Sequence, residues 1–259
     1  MKQKYWALAD VHGSYNELMV MYKNILKNGF NPEKDILIHL GDAIDRGPDS
    51  KKVVSKFIEW KNKYPHWVFI KGNHEDIFED WLLNNGKRYG QNNWFANGGK
   101  TTYESYGGHY GKEVNGKFEF PRFPDFPKEH LDFLFNLPIS YETDDYFFVH
   151  GGVDNKPLEE NKDHYRMMWL REQFINSNYD WGKKIIFGHS CDSKGRYYNP
   201  KNLWSKNQVF MPMVMDNKMG IDCAVCPPST KRLACLELPE EKFHFIESGS
   251  LKYHNGSLV

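Results

Sequence analysis

The chain has 259 residues, and its 34 Lys plus Arg are balanced by 34 Asp plus Glu, so the formal net charge is zero. That balance argues against a nucleic-acid binder, a polybasic membrane arm or an acidic tail, each of which would tilt the count. With 40% hydrophobic and 16% aromatic residues, the chain is expected to fold rather than stay disordered.

Mean hydropathy is −0.72, and no apolar run approaches the roughly 18 residues of a membrane span. The opening apolar run, Tyr5–Ala9, is too short for a signal peptide. A soluble cytoplasmic protein without a nucleic-acid or membrane partner is therefore predicted. Length permits one large domain or two small ones, and neither a linker nor a repeat divides the chain. The expectation is a single domain over 1–259 with a loop-rich cap segment at about 84–127.

Tyr5–Ala9 reads as the first strand. Ser14-x-x-Glu17 fits a capping box, and Leu18, Met21, Tyr22, Ile25 and Leu26 mark one helix face. Gly29 stops that helix, and Ile36–Leu40 is the second strand. Lys51–Tyr64 is predicted helical, ended by Pro65. Trp67–Ile70 is the third strand and Glu75–Leu83 the next helix. From Asn84 to Pro127 the composition (Gly, Asn, Tyr, Phe, Pro) reads as loops and short pieces. A helix follows near Leu131–Asn136. Strands resume at Tyr146–Val149 and Ile185–Phe187, with Tyr165–Phe174 an amphipathic helix between them. Further strand runs lie near Val209–Met215, Met219–Ala224, Leu233–Leu238 and Phe243–Ile246, with Asp216-Asn217 a turn. Early βαβ units and a β-rich end predict an α/β protein built on a mixed sheet or sheet pair.

Four cysteines, Cys191, Cys223, Cys226 and Cys235, are too few for a disulfide framework. Cys223-x-x-Cys226 lacks a second ligand pair for zinc and a thioredoxin-like context, so ordinary thiols are expected.

The functional signal lies in the residues directly after each buried strand. After the first come Asp10 and His12. After the second come Gly41-Asp42, Asp45 and Arg46. Gly72-Asn73-His74-Glu75 comes after the third, His150-Gly151-Gly152 after the fourth and Gly188-His189 after the fifth. One Asp or Asn after a strand is an ordinary turn former, and one His an ordinary hydrogen-bonding residue. Two Asp, one Asn and three His in the same role are not. Sites in α/β sheets form at the carboxyl ends of strands, and this mix of O and N donors suits a pair of divalent metals.

These blocks resemble the signatures of the calcineurin-like metallophosphoesterases, in particular the phosphoprotein phosphatase type found in bacteria and phages. Asn97-Gly98-Gly99-x-x-Thr102 and Trp169-Leu170-Arg171 are similar to further family features, and the likeness spans about residues 5–240. It implies a four-layer β-sandwich core flanked by helices, with the active site at strand carboxyl ends. It also implies a dinuclear centre: Asp10 and His12 on one metal, Asp42 bridging, and Asn73, His150 and His189 on the other. Manganese is the expected metal, with iron, zinc or nickel as alternatives. The implied reaction is direct in-line attack of a metal-activated hydroxide on a phosphomonoester, with His74 as general acid and Asp45 as its partner. Arg46 and Arg171 resemble the phosphate clamps. For Arg171, a place on the surface of the Tyr165–Phe174 helix is the plainer alternative.

Two positions depart from the pattern. Lys71 stands where many relatives carry Arg, which puts a third phosphate contact in doubt, and Ala9 stands where Gly is usual. Serine/threonine protein phosphatase activity is the first expectation. A hydrolase of diadenosine tetraphosphate or another nucleotide is the second, and an inactive metal-bound scaffold the third. The aromatics Trp94, Phe95, Tyr103, Tyr106 and Tyr110 are candidates for the cleft wall that would separate the first two, with packing the commoner use of such residues. Of only seven arginines, two fall at expected phosphate contacts.

Overall fold

Alternating apolar strands and amphipathic helices produce two mixed sheets packed face to face in the computed structural model. It describes residues 2–114, 117–119, 121–192, 210–225, 232–247, 253–254 and 257–258. The first half supplies β1 (Tyr5–Leu8), α1 (Tyr15–Lys27), β2 (Ile36–His39), α2 (Ser50–Lys63), β3 (Val68–Phe69) and α3 (Asn73–Asn84). β1, β2 and β3 run parallel in that order. A single turn of π-helix, Phe95–Gly99, then leads into α4 (Lys100–Ser105). The hairpin β4 (Lys112–Val114) and β5 (Lys117–Glu119) comes next, and then α5 (Lys128–Phe135).

The second half supplies β6 (Ser140–Glu142), β7 (Tyr146–Val149), α6 (His164–Trp169), α7 (Glu172–Ile175) and β8 (Lys184–Phe187). β9 (Met213–Val214), β10 (Lys218–Gly220), β11 (Arg232–Leu238) and β12 (Lys242–Glu247) complete the two sheets. Their orders are β12-β11-β1-β2-β3 and β6-β7-β8-β10-β9. The β11–β12 hairpin thus returns to the first sheet, with β11 antiparallel to β1.

Three apolar clusters define the layers. Ala7, Ile38, Leu40, Ile70, Phe148, Ile186, Met219 and Leu236 fill the space between the sheets. Trp6, Leu8, Leu37 and Phe69 on the outer face of the first sheet pack against Leu18, Met21, Phe57 and Phe78 of its helices. Phe147, Val149 and Phe187 do the same against Met167 and Phe174 on the second sheet. The four-layer β-sandwich expected from the resemblance is this helix–sheet–sheet–helix stack.

Three local readings change. Asn73 and His74 lie in the first turn of α3 instead of preceding it, because Gly72 is the N-cap and the Glu75 carboxylate reaches back 2.9 Å to its N–H. The single helix expected over Tyr165–Phe174 breaks between α6 and α7, where the backbone leaves helical geometry at Leu170 and Arg171. Residues 84–127 also hold more regular structure than loops, namely the π-turn, α4 and the β4–β5 hairpin. The Asp216-Asn217 turn joins β9 to β10 as expected, with Val214 opposite Met219. Val209 and Cys226 lie outside the described residues. Among those described, no helix is long and apolar enough to cross a membrane.

Candidate metal centre

All five ligand-bearing strand ends meet at one edge of the sandwich. β1 and β2 bring their following loops into register: the amides of Asp10, His12 and Gly13 donate to the carbonyls of Gly41, Asp42 and Ala43 at 3.1, 2.8 and 2.8 Å. Chain reversal here is abrupt. Of the ten described non-glycine residues with positive φ, six are Asp10, His12, Asp42, Asp45, Arg46 and His189. Left-handed backbone costs an L-residue roughly 1 kcal/mol or more, so its concentration at the predicted site marks geometry imposed by surrounding contacts.

Glycines make room where those side chains converge. Gly41 (φ +95) lies on Gly72, and a Cβ on Gly41 would come 2.6 Å from the Gly72 Cα. A Cβ on Gly72 would come 2.2 Å from Asp42 Oδ1, and one on Gly188 2.4 Å from Asp10 Oδ2. The glycine beside each ligand-type residue is therefore a packing requirement.

Asp42 occupies the centre. Its Oδ2 is 3.5 Å from His12 Nε2, and its Oδ1 is 3.3 Å from His150 Nε2. Two groups of donor atoms are close enough to share a cation: His12, Asp42 and His74, and Asp42, His150 and His189. The Asn73 Oδ1 is 2.9 Å from His150 Nε2 and so borders the second. Asp10 is adjacent to both groups without completing either. Its Oδ1 is 3.9 Å from His12 Nε2, while both oxygens accept the His189 amide at 3.2 and 3.0 Å. Asp10, His12, Asp42, Asp45, Asn73, His74, His150 and His189 are each no more than 5% exposed, so their charges act at low dielectric.

The charge states reflect that crowding. Burial opposes ionisation of Asp42, yet His150 and His74 hold its carboxyl well below the ordinary range. Burial likewise opposes a charge on His150, but Asp42 raises it to about 9. Burial, reinforced by His74 and Arg46, pushes His12 down and keeps it neutral; burial with His150 and Arg171 does the same for His189. Burial, then the charge of Asp222, pushes Asp10 up.

The donor set fits a pair of divalent cations, because positive charge already stands where they would go. His150 gives its Nδ1–H to the Leu40 carbonyl at 2.6 Å, and in its charged form it presents a second N–H, on Nε2, to Asn73 and Asp42. On the other side the Arg46 guanidinium bridges two imidazoles, Nη1 donating to His12 Nε2 at 2.8 Å and Nη2 to His74 Nε2 at 2.9 Å. His12 Nδ1 faces the Ile44 carbonyl at 2.9 Å, leaving the Nε2 lone pair directed inward. His189 Nε2 is buried with no hydrogen-bond partner, which is costly for a polar atom unless a ligand completes it.

His74 Nδ1 meets Asp45 Oδ2 at 2.8 Å, the orientation expected for that pair. Arg171 is exposed but lies outside both helices. It stands at the α6–α7 break and donates through Nη1 to the His189 carbonyl at 2.6 Å and to Ser190 Oγ at 3.2 Å. Lys71 is turned away: it is 7% exposed and ion-paired with Glu79, so no third cation faces the centre from that position.

Sequence reasoning assigned no role to Glu75. Its carboxylate accepts from the amides of Asp42 (3.0 Å), Ala43 (2.8 Å) and Gly72 (2.9 Å), tying two ligand-bearing loops together. The helix-start pattern Gly-Asn-His-Glu was the available signal. Cys191 and Asp222 were also missed: the thiol donates to the carboxylate at 2.8 Å behind Asp10, and no local pattern marks that pair. Cys191, Cys223 and Cys235 are free thiols.

The model of the calcineurin-like phosphoesterase family matches residues 3–210. This chain belongs to that family. Among curated relatives, serine/threonine-protein phosphatase 1 of Salmonella typhimurium is 33% identical over 101 residues, 35% of this chain and 40% of the relative. Serine/threonine-protein phosphatase 2 of Escherichia coli is 34% identical over 95 residues, 36% of this chain and 38% of the relative. The match thus spans about two-fifths of those proteins. By structure, a proposed diadenosine tetraphosphatase superposes with TM-score 0.60 at 14% identity, covering 95% of this chain and 94% of that one. A Saccharomyces cerevisiae protein serine/threonine phosphatase superposes with TM-score 0.54 at 14% identity, covering 98% and 82%. At that identity the superpositions establish the fold alone.

Proposed function

We propose that this phosphoesterase, read as one domain, hydrolyses phosphomonoesters of serine and threonine in proteins. The observation that carries the reading is Asp42 set between His12 and His150, with the His74–Asp45 pair beside it. Asp10, His12, Asp42, Asn73, His150 and His189 would hold two divalent cations, manganese being our expectation. When bound, these supply Lewis acidity and a nucleophile usable at neutral pH. Asp42 would serve both, since its two oxygens face opposite imidazoles. His74 would protonate the leaving oxygen from Nε2 while Nδ1–H stays with Asp45, once Arg46 has turned from the His74 Nε2 to the phosphoryl group and that nitrogen carries a proton. Arg46 and Arg171, permanently charged and forked, would grip the phosphoryl oxygens. The names of the two bacterial relatives support the choice of phosphoprotein.

A second reading, hydrolysis of diadenosine tetraphosphate or a related nucleotide, has its own observation. Tyr89, Tyr165 and Trp169 form a triangular cluster of rings with centroids 5.7–6.2 Å apart, and the Trp169 ring meets His189 edge-on at 5.8 Å. Such a platform would suit a base. The manganese-loaded protein should hydrolyse a phosphoserine peptide at least as well as diadenosine tetraphosphate. A preference for the dinucleotide by orders of magnitude would overturn the first reading. Absence of any metal-dependent turnover, unchanged in His74→Asn, would favour an inactive scaffold.

A further inference from the structure

Asp45 is held more completely than a simple partner of His74 requires. It is fully buried and sits at φ 71. Its amide donates to Thr102 Oγ1 at 2.8 Å and to Ser50 Oγ at 3.1 Å. Its Oδ1 accepts from Thr102 Oγ1 at 2.7 Å and from Trp94 Nε1 at 3.0 Å. Its Oδ2 accepts from the same indole N–H at 3.2 Å and faces His74 Nδ1 at 2.8 Å. Thr102 therefore bonds both the backbone and the carboxylate of one residue, and Trp94 spans both carboxylate oxygens.

The segment that delivers these groups has glycines where this clamp needs them. A Cβ on Gly99 would lie 2.5 Å from the Trp94 indole carbons, so the ring rests directly on that backbone. Gly98, at φ +99, lies against Arg46: its carbonyl accepts the Arg46 amide at 3.1 Å, and a Cβ on it would come 2.8 Å from Arg46 Cγ. Trp94 is wholly buried against Phe78, Trp81 and Phe95. It is not a wall of the substrate cleft.

We infer that Trp94 and the Asn97-Gly98-Gly99-x-x-Thr102 motif are a positioning element for the Asp45–His74 pair and for Arg46, fixing the orientation of the imidazole ring so that, with Nδ1–H held on Asp45, the protonated Nε2 faces the leaving group. The inference rests on the reading of His74 as general acid. In that step the bond from phosphorus to the leaving oxygen breaks, and the oxygen takes the Nε2 proton with its electron pair retained. The proton given up by the attacking water is the one that later restores His74. With Oδ1 and the amide of Asp45 both tied to Thr102, Oδ2 has one direction in which to accept from Nδ1. Release of the clamp lets the carboxylate turn, and the imidazole loses its fixed orientation.

General-acid positioning matters most when the leaving group is a poor one. The test compares the manganese-loaded protein on a phosphoserine peptide, whose alkoxide must be protonated, and on dinitrophenyl phosphate, whose phenolate leaves unaided. Thr102→Val and Trp94→Phe should each lower kcat on the peptide about tenfold to a hundredfold, the scale of losing a residue that orients a functional group. KM should hold, dinitrophenyl phosphate turnover should fall less than about threefold, and Thr102→Ser should restore the peptide rate. Equal losses on both substrates, or no loss, overturn the inference. Should Trp94→Phe fail to fold, the Thr102→Val and Thr102→Ser pair decides alone. His74→Asn separates the two levels. If it shows the leaving-group dependence and the Thr102 and Trp94 variants do not, the clamp is wrong and the acid stands. If His74→Asn shows none, the acid assignment itself falls.

Discussion

Gly72→Ala isolates steric packing at the centre from backbone freedom. Gly72 sits at φ −98 and ψ 176, an extended conformation open to any residue. On conformational grounds alanine should stabilise the fold by about 0.4–1 kcal/mol, through the unfolded chain. The native surroundings act the other way. The added methyl would stand 2.2 Å from Asp42 Oδ1, 2.5 Å from the Asp42 amide and 3.0 Å from Glu75 Oε2. Restoring contact requires Asp42 or the α3 start to retreat by about 1 Å, and overpacking a filled interior costs about 1–3 kcal/mol. A net destabilisation of about 1–2 kcal/mol is expected, read by urea unfolding of the metal-free protein. Because Asp42 is the residue displaced, manganese affinity by calorimetry should weaken and turnover should fall by about a hundredfold. Gly29→Ala is the contrasting control: nothing lies within 4 Å of its Cβ direction, but φ is +100. It should lose about 1 kcal/mol of stability and no activity. A Gly72→Ala protein that is more stable than wild type, with metal affinity and turnover within threefold, would refute the steric reasoning.

Other predictions concern single charges. Replacing Arg46 by Lys keeps the positive charge but cannot bridge His12 and His74, so if the guanidinium competes for the cation position, Arg46→Lys should bind manganese several-fold more tightly in calorimetry; unchanged or weaker binding counts against competition. Glu75→Gln surrenders one acceptor oxygen and turns an amide N–H toward backbone donors, which should cost about 1–3 kcal/mol in urea unfolding. Against this, burial and Asp42 push the Glu75 carboxyl up, so neutralising it brings some relief; a stabilised variant would show that relief dominates. Glu237 lies away from the centre. Burial opposes its charge, but bonds from Lys4 and His244 hold its carboxyl below the ordinary 4.5. A depressed carboxyl contributes stability above its unfolded value and loses it as pH falls through the folded one. Glu237→Gln should therefore be less stable than wild type at neutral pH, with the gap closing in acid below about 4 to 5; a gap that widens in acid would reverse the sign.

The candidate residues stood out in the sequence because most obey one local rule: an apolar strand ends in glycine beside a polar residue, with Ala9 before Asp10 the exception. Gly41, Gly72 and Gly188 stand there because a neighbouring carboxylate or backbone already fills the Cβ position. Strand order was not legible. β11 lies beside β1 through pairs such as Leu8 with Cys235, a contact across most of the chain that no periodicity encodes. Nor was the break at Leu170-Arg171: amphipathic spacing continues through it, while the carbonyl of Met167 is taken by the amides of Gly151 and Gly152. Trp94 read as one more aromatic of a loop-rich stretch. Its chemistry is set by an acceptor 49 positions earlier, which only the fold can supply.

The two sheets are fastened differently at their two ends. At the carboxyl ends the ties are buried and directional: His150 to the Leu40 carbonyl at 2.6 Å, His150 to Asn73 at 2.9 Å, and the His189 amide to Asp10. At the opposite ends the polar ties among the described residues include Lys2 with Asp145 at 3.3 Å, where both side chains are more than half exposed, and the partly exposed pair Lys184 and Glu241. Salt screens exposed pairs and leaves buried ones nearly untouched. Mechanically the sandwich resembles a clothes-peg with its spring at the candidate metal centre: rising ionic strength should slacken the handles while the jaws keep their spacing.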